Sequence, residues 1–225
     1  MTKIKTKRER VKFASDNVTG ACPEVLDAIL KANDEDRTPY GNDELSKNLQ
    51  NKFSEIFEKE VIVFPTASGT AANALALSTM TPSFGNIYCH RLSHINVDEC
   101  GAPEFYTGGA KLVNLDGIDG KIIPEKLDDS ISGKGIVHHT QPSSVSITQL
   151  CETGVAYQLD EIKKISEVAH KHKLNIHMDG ARFANALVSL NCSAAEMTWK
   201  SGIDVLSFGA TKNCLLYTSD AADEP

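Results

Sequence analysis

The chain has 225 residues, 41% of them hydrophobic and 24% charged, and its 30 acidic against 23 basic side chains leave a formal net charge of −7. This is the size and composition of one large folded domain or one and a half, a second lobe being incomplete or absent, and it excludes long disorder or coiled coil as the main character. The acidic excess lacks the surplus of lysine and arginine needed to neutralise phosphates, which excludes nucleic acid as the expected partner and leaves a small molecule.

Residues 1–12 hold Lys3, Lys5, Lys7, Arg8 and Arg10 with no apolar stretch behind them, and read as a basic, flexible N-terminus rather than a secretory signal. Pro23 followed by Val25, Leu26, Ile29 and Leu30 predicts a helix with proline in its first turn. Leu45, Leu49, Phe53, Ile56 and Phe57 predict a second helix. Val61–Phe64 is read as a strand, and the alanine-rich stretch 71–77 after Ser68-Gly69-Thr70 as the helix that follows it. Further strands are expected at Ile87–Cys89, Lys111–Leu115, Gly135–Val137, Leu174–Met178 and Ile203–Ser207. Between the first three and the last two of these runs a clear amphipathic helix intervenes. Leu159, Ile162, Ile165, Val168 and Ala169 line one face, with Glu161, Lys163, Lys164, Glu167 and Lys171 on the other. Strands alternating with helices predict an α/β fold, a mostly parallel sheet flanked by helices.

No apolar run approaches the roughly 18 residues of a membrane span, so no membrane association is expected. The six cysteines are irregularly spaced without a C-x-x-C pair, which fits reduced thiols and a cytoplasmic location. After Thr211-Lys212-Asn213 the sequence changes to a stretch, 214–225, with neither a helix long enough to cap the sheet nor a following strand. It reads as a non-native tail on a chain that stops mid-fold, leaving 13–213 as the folded unit.

Chemistry is carried by strand ends. Ser68, Gly69 and Thr70 open a helix, where unused amides and two hydroxyls suit a phosphate; Ser68 serves equally as a plain N-cap. The glycine-containing loops Gly108-Gly109-Ala110-Lys111 and Ser132-Gly133-Lys134-Gly135 match no nucleotide-binding pattern. Asp179-Gly180-Ala181-Arg182 follows a strand, at the edge where open α/β sheets place ligands. There Asp179 either faces a heterocyclic cation or caps the next helix with Arg182 as its ion-pair partner. Lys212 follows another strand and a small-residue loop, a place where desolvation makes a neutral amine available to add to a carbonyl, although most lysines are simply solvated. His94 lies after a strand and is suited to stack on a flat ring, or is an ordinary satisfied histidine. His138, His139, His170 and His172 lack metal-ligand spacing, so no metal is expected, and His177 is read as structural.

A phosphate cradle, an acid for a ring nitrogen, an arginine and a late lysine are together the parts of a pyridoxal-phosphate site. In their order along the chain, from Ser15-Asp16-Asn17 to Phe208-Gly209-Ala210-Thr211-Lys212-Asn213, residues 13–213 closely resemble the low-specificity L-threonine aldolase group of the β-eliminating lyase family, pyridoxal-phosphate enzymes of fold type I. The resemblance implies that Lys212 carries the cofactor, Asp179 pairs with its ring nitrogen and His94 stacks on its face. It assigns Ser68, Gly69 and Thr70 to the phosphate, with Thr211 beside the lysine. Arg182 is assigned to the ring hydroxyl or the substrate carboxylate, and Ser15 to that carboxylate. Many relatives have a histidine in a Thr-His-Asn segment near the substrate hydroxyl, for which this chain has Ser146-Ile147-Thr148-Gln149. Gln149 is therefore expected at the substrate but unable to act as a base, which leaves proton removal to His94, a water or the cofactor phosphate. The implied reaction is retro-aldol cleavage of threonine and similar β-hydroxy-α-amino acids to glycine and an aldehyde, by a homodimer or homotetramer. Relatives continue into a smaller C-terminal domain, so this chain alone is expected to be inactive. The rival expectations are β-elimination or transamination on the same scaffold, and a non-catalytic subunit that kept the fold.

Overall fold

The computed structural model describes residues 15–17, 20–34, 36–210 and 212; the basic start, Thr211 and the segment from Asn213 onward lie outside the described residues. Helix α1 (Pro23–Asn33) has proline in its first turn, and α2 (Glu44–Ile56) starts where the Asp43 carboxylate accepts the Ser46 N–H. Helix α3 (Gly69–Met80) follows. Strand β1 (Gly85–His90) leads through short α4 (His94–Val97) and α5 (Ala102–Tyr106) to β2 (Lys111–Leu115), then α6 (Pro124–Ser130) and β3 (Gln141–Thr148). The amphipathic helix α7 (Leu159–Lys171) connects to β4 (Asn175–Gly180), and α8 (Phe183–Leu190), α9 (Ala194–Met197) and a 3₁₀ turn (Trp199–Ser201) lead to β5 (Val205–Phe208).

All pairings in the sheet are parallel, in the order β2-β1-β3-β4-β5. The expected α/β architecture is therefore present. The chain moves outward from β1 to β2 and then returns to the other side of β1 for β3. This reversal is a topological switch point, and the crevice beyond the carboxyl ends of such strands is where open α/β sheets bind ligands.

Alternation along the strands makes the two faces of the sheet chemically different. Val145 and Ile147 of β3 and Ile176 and Met178 of β4 pack with Ile162, Ile165 and Ala169 of α7 in the main core. Their sequence neighbours Ser144, Ser146, His177 and Asp179 are buried on the opposite face. There α3 takes part, with Thr81 Oγ1 2.7 Å from Ser144 Oγ. A smaller apolar cluster joins Leu77 of α3 to Ile87 and Cys89 of β1.

Two expected strands are absent. Val61–Phe64 is an irregular segment: its Val61 and Val63 N–H groups donate to Ser54 Oγ and Gln50 Oε1 of α2 instead of to a strand. Ile62 and Phe64 are 76% and 71% exposed. Gly135–Val137 lies in turns, because Gly133 and Gly135 take left-handed φ values of 80° and 77°. The Gln141 side chain then ties that loop together through Gly135 N, Ile136 O and His139 O. The strand that belongs there is β3, a few residues later.

Candidate active site

The polar face of the sheet is held by side-chain pairs. His177 lies fully buried between Ser146 Oγ at Nδ1 (2.9 Å) and Ser207 Oγ at Nε2 (2.8 Å). Burial pushes its pKa down to about 4, against the pull of Asp179, so the ring is neutral at ordinary pH. Two residues further along β4, on the same face and at the carboxyl end of the strand, stands Asp179, 3% exposed.

Asp179 makes no ion pair with Arg182. Its Oδ1 accepts the Ala181 N–H (3.0 Å), and its Oδ2 accepts Asn73 Nδ2 of α3 (3.0 Å). The same Asn73 nitrogen donates to Glu99 Oε1 at 2.7 Å, and His94 Nδ1 lies 2.9 Å from that oxygen. One buried chain thus runs His94–Glu99–Asn73–Asp179. The hydrogen bond to Glu99, with Asp179 and Glu152 adding negative charge, outweighs burial and raises the His94 pKa to about 9.

A second chain lies beside it. Arg182 Nε donates to Asp16 Oδ2 at 2.6 Å, and Arg182 Nη1 to Glu152 Oε2 at 3.4 Å. Lys212, 5% exposed, has Nζ 3.9 Å from Asp16 Oδ1. Charge links the two chains, since Asp179 and Glu152 act on both His94 and Arg182. The loop bearing Lys212 can come this close because of two glycines. A Cβ on Gly209 would sit 2.7 Å from Ala181 Cα, and one on Gly180 would sit 2.8 Å from Ser207 O.

Ser68 is the N-cap of α3, its Oγ accepting the Ala71 N–H at 3.1 Å. The Gly69 and Thr70 amides are first-turn donors that an α-helix does not use, and Thr70 Oγ1 is buried without a partner. Thr70 lies about one turn before Asn73, whose amide reaches Asp179, so the helix start opens toward the same crevice. An unused hydroxyl and free amides at one end, a buried carboxylate at the other and a buried lysine beside them form a donor set that fits pyridoxal phosphate.

Of the expected residues, the structure brings together His94, Asp179, Arg182 and Lys212, with Ser68, Gly69 and Thr70 at the start of α3. Ser15 is exposed and its Oγ accepts the Asn17 N–H, next to Asp16. Thr211 lies outside the described residues. Gln149 is a correction: it is wholly buried, with Oε1 accepting Tyr157 N–H and Nε2 donating to Tyr157 O, both at 2.9 Å. Its amide is spent on the loop after β3 and is closed to a substrate. Among the described residues no group of three or more His, Cys, Asp or Glu is placed to hold a metal ion. Sequence reasoning misses Asn73 and Glu99. An asparagine inside an alanine-rich helix is a usable signal for the first, and the loop around Glu99 offers none.

The profile of the beta-eliminating lyase family matches residues 12–217. The chain belongs to the beta-eliminating lyase family. Within it, the chain is 44% identical over 201 residues to a low specificity L-threonine aldolase of Pseudomonas sp. (strain NCIMB 10558), covering 89% of this chain and 58% of that protein. The Pseudomonas aeruginosa low specificity L-threonine aldolase is 42% identical over the same length. Among solved structures, Leishmania major threonine aldolase superposes with a TM-score of 0.81 at 28% identity, over 88% of this chain and 57% of that one. The chain therefore spans somewhat more than half the length of these relatives.

Proposed function

We propose that the protein this chain represents is a pyridoxal-phosphate-dependent lyase that cleaves threonine and other β-hydroxy-α-amino acids to glycine and an aldehyde. The observation that carries the reading is Asp179, buried at the carboxyl end of β4 between the His94–Glu99–Asn73 chain and the Arg182–Asp16–Lys212 chain. The kinship with threonine aldolases supports the choice of reaction.

When bound, pyridoxal phosphate supplies an electron-withdrawing ring that takes up the electron pair released as the Cα–Cβ bond breaks. The chain's own residues do the rest. Lys212 is the amine that would hold the cofactor covalently. Gly69 and Thr70 hold the phosphate at the start of α3, where partial positive charge favours an anion. Asp179, held by Asn73 and the Ala181 N–H, presents a carboxylate to the ring nitrogen. His94 would lie against the ring. Arg182 holds the substrate carboxylate, with Ser15 beside it, in the place Asp16 occupies in this structure. The free cysteines among the described residues support a reducing, cytoplasmic setting. Exposed Leu26, Leu30, Ile62 and Phe64 support a homo-oligomer, dimer or tetramer.

The test is the visible absorbance of the purified protein with pyridoxal phosphate, beside Lys212→Ala, before and after glycine. The expected result is a lysine-dependent band that shifts with glycine. A clone spanning the full length of the relatives, given threonine, serine and a keto-acid acceptor, then separates aldol cleavage from β-elimination and transamination. A full-length protein with no lysine-dependent band would overturn the reading.

A further inference from the structure

Glu99 is a buried member of the first chain that the reaction above does not use. It follows α4 on a sharp turn, with Cys100 and Gly101 both left-handed at φ 49° and 74°. Its side chain is wholly excluded from solvent. Oε1 takes both Asn73 Nδ2 and His94 Nδ1, whereas Oε2 is buried without a partner. A carboxylate with an unmatched buried oxygen is costly unless a proton stays close to it.

We propose that Glu99 is a positioning residue that keeps His94 protonated at neutral pH and, through Asn73, fixes the orientation of Asp179. A protonated His94 is not the base for the β-hydroxyl proton, which must go to another base, a water or the cofactor phosphate. Only that consequence rests on the proposed function; the protonation state belongs to the chain itself.

Glu99 on its own loop, Asp179 at the end of β4 and Glu152 after β3 each raise the His94 pKa, to about 9 against the effect of burial. Burial also pushes the Glu99 carboxyl upward, because the ionised form loses water. The pair therefore holds a proton more tightly than either group would alone, and the half-buried imidazole, 18% exposed, is the better seat for the charge. Asn73 makes the arrangement directional, since its single amide nitrogen spans Glu99 and Asp179.

The experiment is a pH titration of the ring nitrogens in the full chain, labelled with ¹⁵N-histidine and without cofactor, with the His94 signals assigned from His94→Gln. The parent is expected to titrate near 9, and Glu99→Gln to bring the midpoint down by about two pH units. Glu99→Asp should restore part of the difference. His177, expected near 4, reports in the same spectra whether the fold survives each change. A parent midpoint at or below the ordinary histidine value overturns the proposal. So does an unmoved His94 midpoint in Glu99→Gln with His177 unchanged. Should Glu99→Gln lose the His177 signal, the parent midpoint and Glu99→Asp decide. Failure of the absorbance band would sink the cofactor reading while leaving this titration intact.

Discussion

A missing Cβ lets the loop before Lys212 lie against the backbone that follows β4. At Gly209 the nearest atoms to an added Cβ are the Cα and carbonyl oxygen of Ala181, at 2.7 and 2.8 Å. Backbone cannot swing aside as a flexible side chain can, so Gly209→Ala must push the loop away from β4. We expect a loss of about 1–3 kcal/mol, the usual cost of overpacking, and a weakened cofactor band, read by urea unfolding and visible absorbance; unchanged values for both would show that the loop has slack. Asp179, Arg182 and Lys212 are legible in the sequence because a charged residue directly after an apolar strand lies at the edge where an open α/β sheet binds its ligands. Their partners are not. The sequence offers Asp179, a near neighbour, as the ion-pair partner of Arg182, yet the carboxylate that Arg182 Nε meets is Asp16, 166 residues away. Such pairings depend on which strands lie side by side, and local pattern does not encode that.

At the scale of elements, β3 is the strand that its polar residues hide. In β3, Ser144 and Ser146 alternate with Val145 and Ile147, because the serines face α3 and His177 while the aliphatic side chains face α7. The serines hide the strand, and the apolar but glycine-flanked Gly135–Val137 mimics one nearby. Helix α7 is legible throughout, since its 3.6-residue stripe matches one uniform apolar surface. Its caps add to that: Glu161 Oε2 accepts the Gln158 N–H at the start of the helix, and Oε1 takes Lys121 Nζ. Ile165 lies fully buried in that stripe, so Ile165→Ala is expected to cost about 2–5 kcal/mol through lost burial and a residual cavity. Because α7 packs on the face opposite Asp179, the cofactor band of the folded variant should match the parent. A shifted band at low denaturant would mean that the two faces of the sheet are not mechanically separate.

In the whole molecule, a dry apolar layer lies under α7 and a buried polar layer under α3, and the second makes stability depend on pH. His177 is the buried group in that layer that acts on the acid side. Its folded pKa, about 4, lies below the ordinary 6.5 because the charged imidazolium would lose its water. Between those two values the unfolded chain binds a proton that the folded chain does not, so the neutral histidine's contribution is complete above 6.5 and is withdrawn as pH falls toward 4. Ser146 and Ser207 keep the neutral ring supplied with hydrogen-bond partners, while Asp179 is the charge that resists the shift. His177→Asn should lower stability overall, since a shorter amide cannot span both hydroxyls. It should also flatten the acid slope, because nothing at that position then titrates. Unfolding free energies from denaturant titrations at intervals across that range, for parent and variant, give the difference curve. A constant offset between the two would place the acid sensitivity elsewhere in the molecule, whereas a gap that closes as pH falls locates it at the buried ring beneath the site.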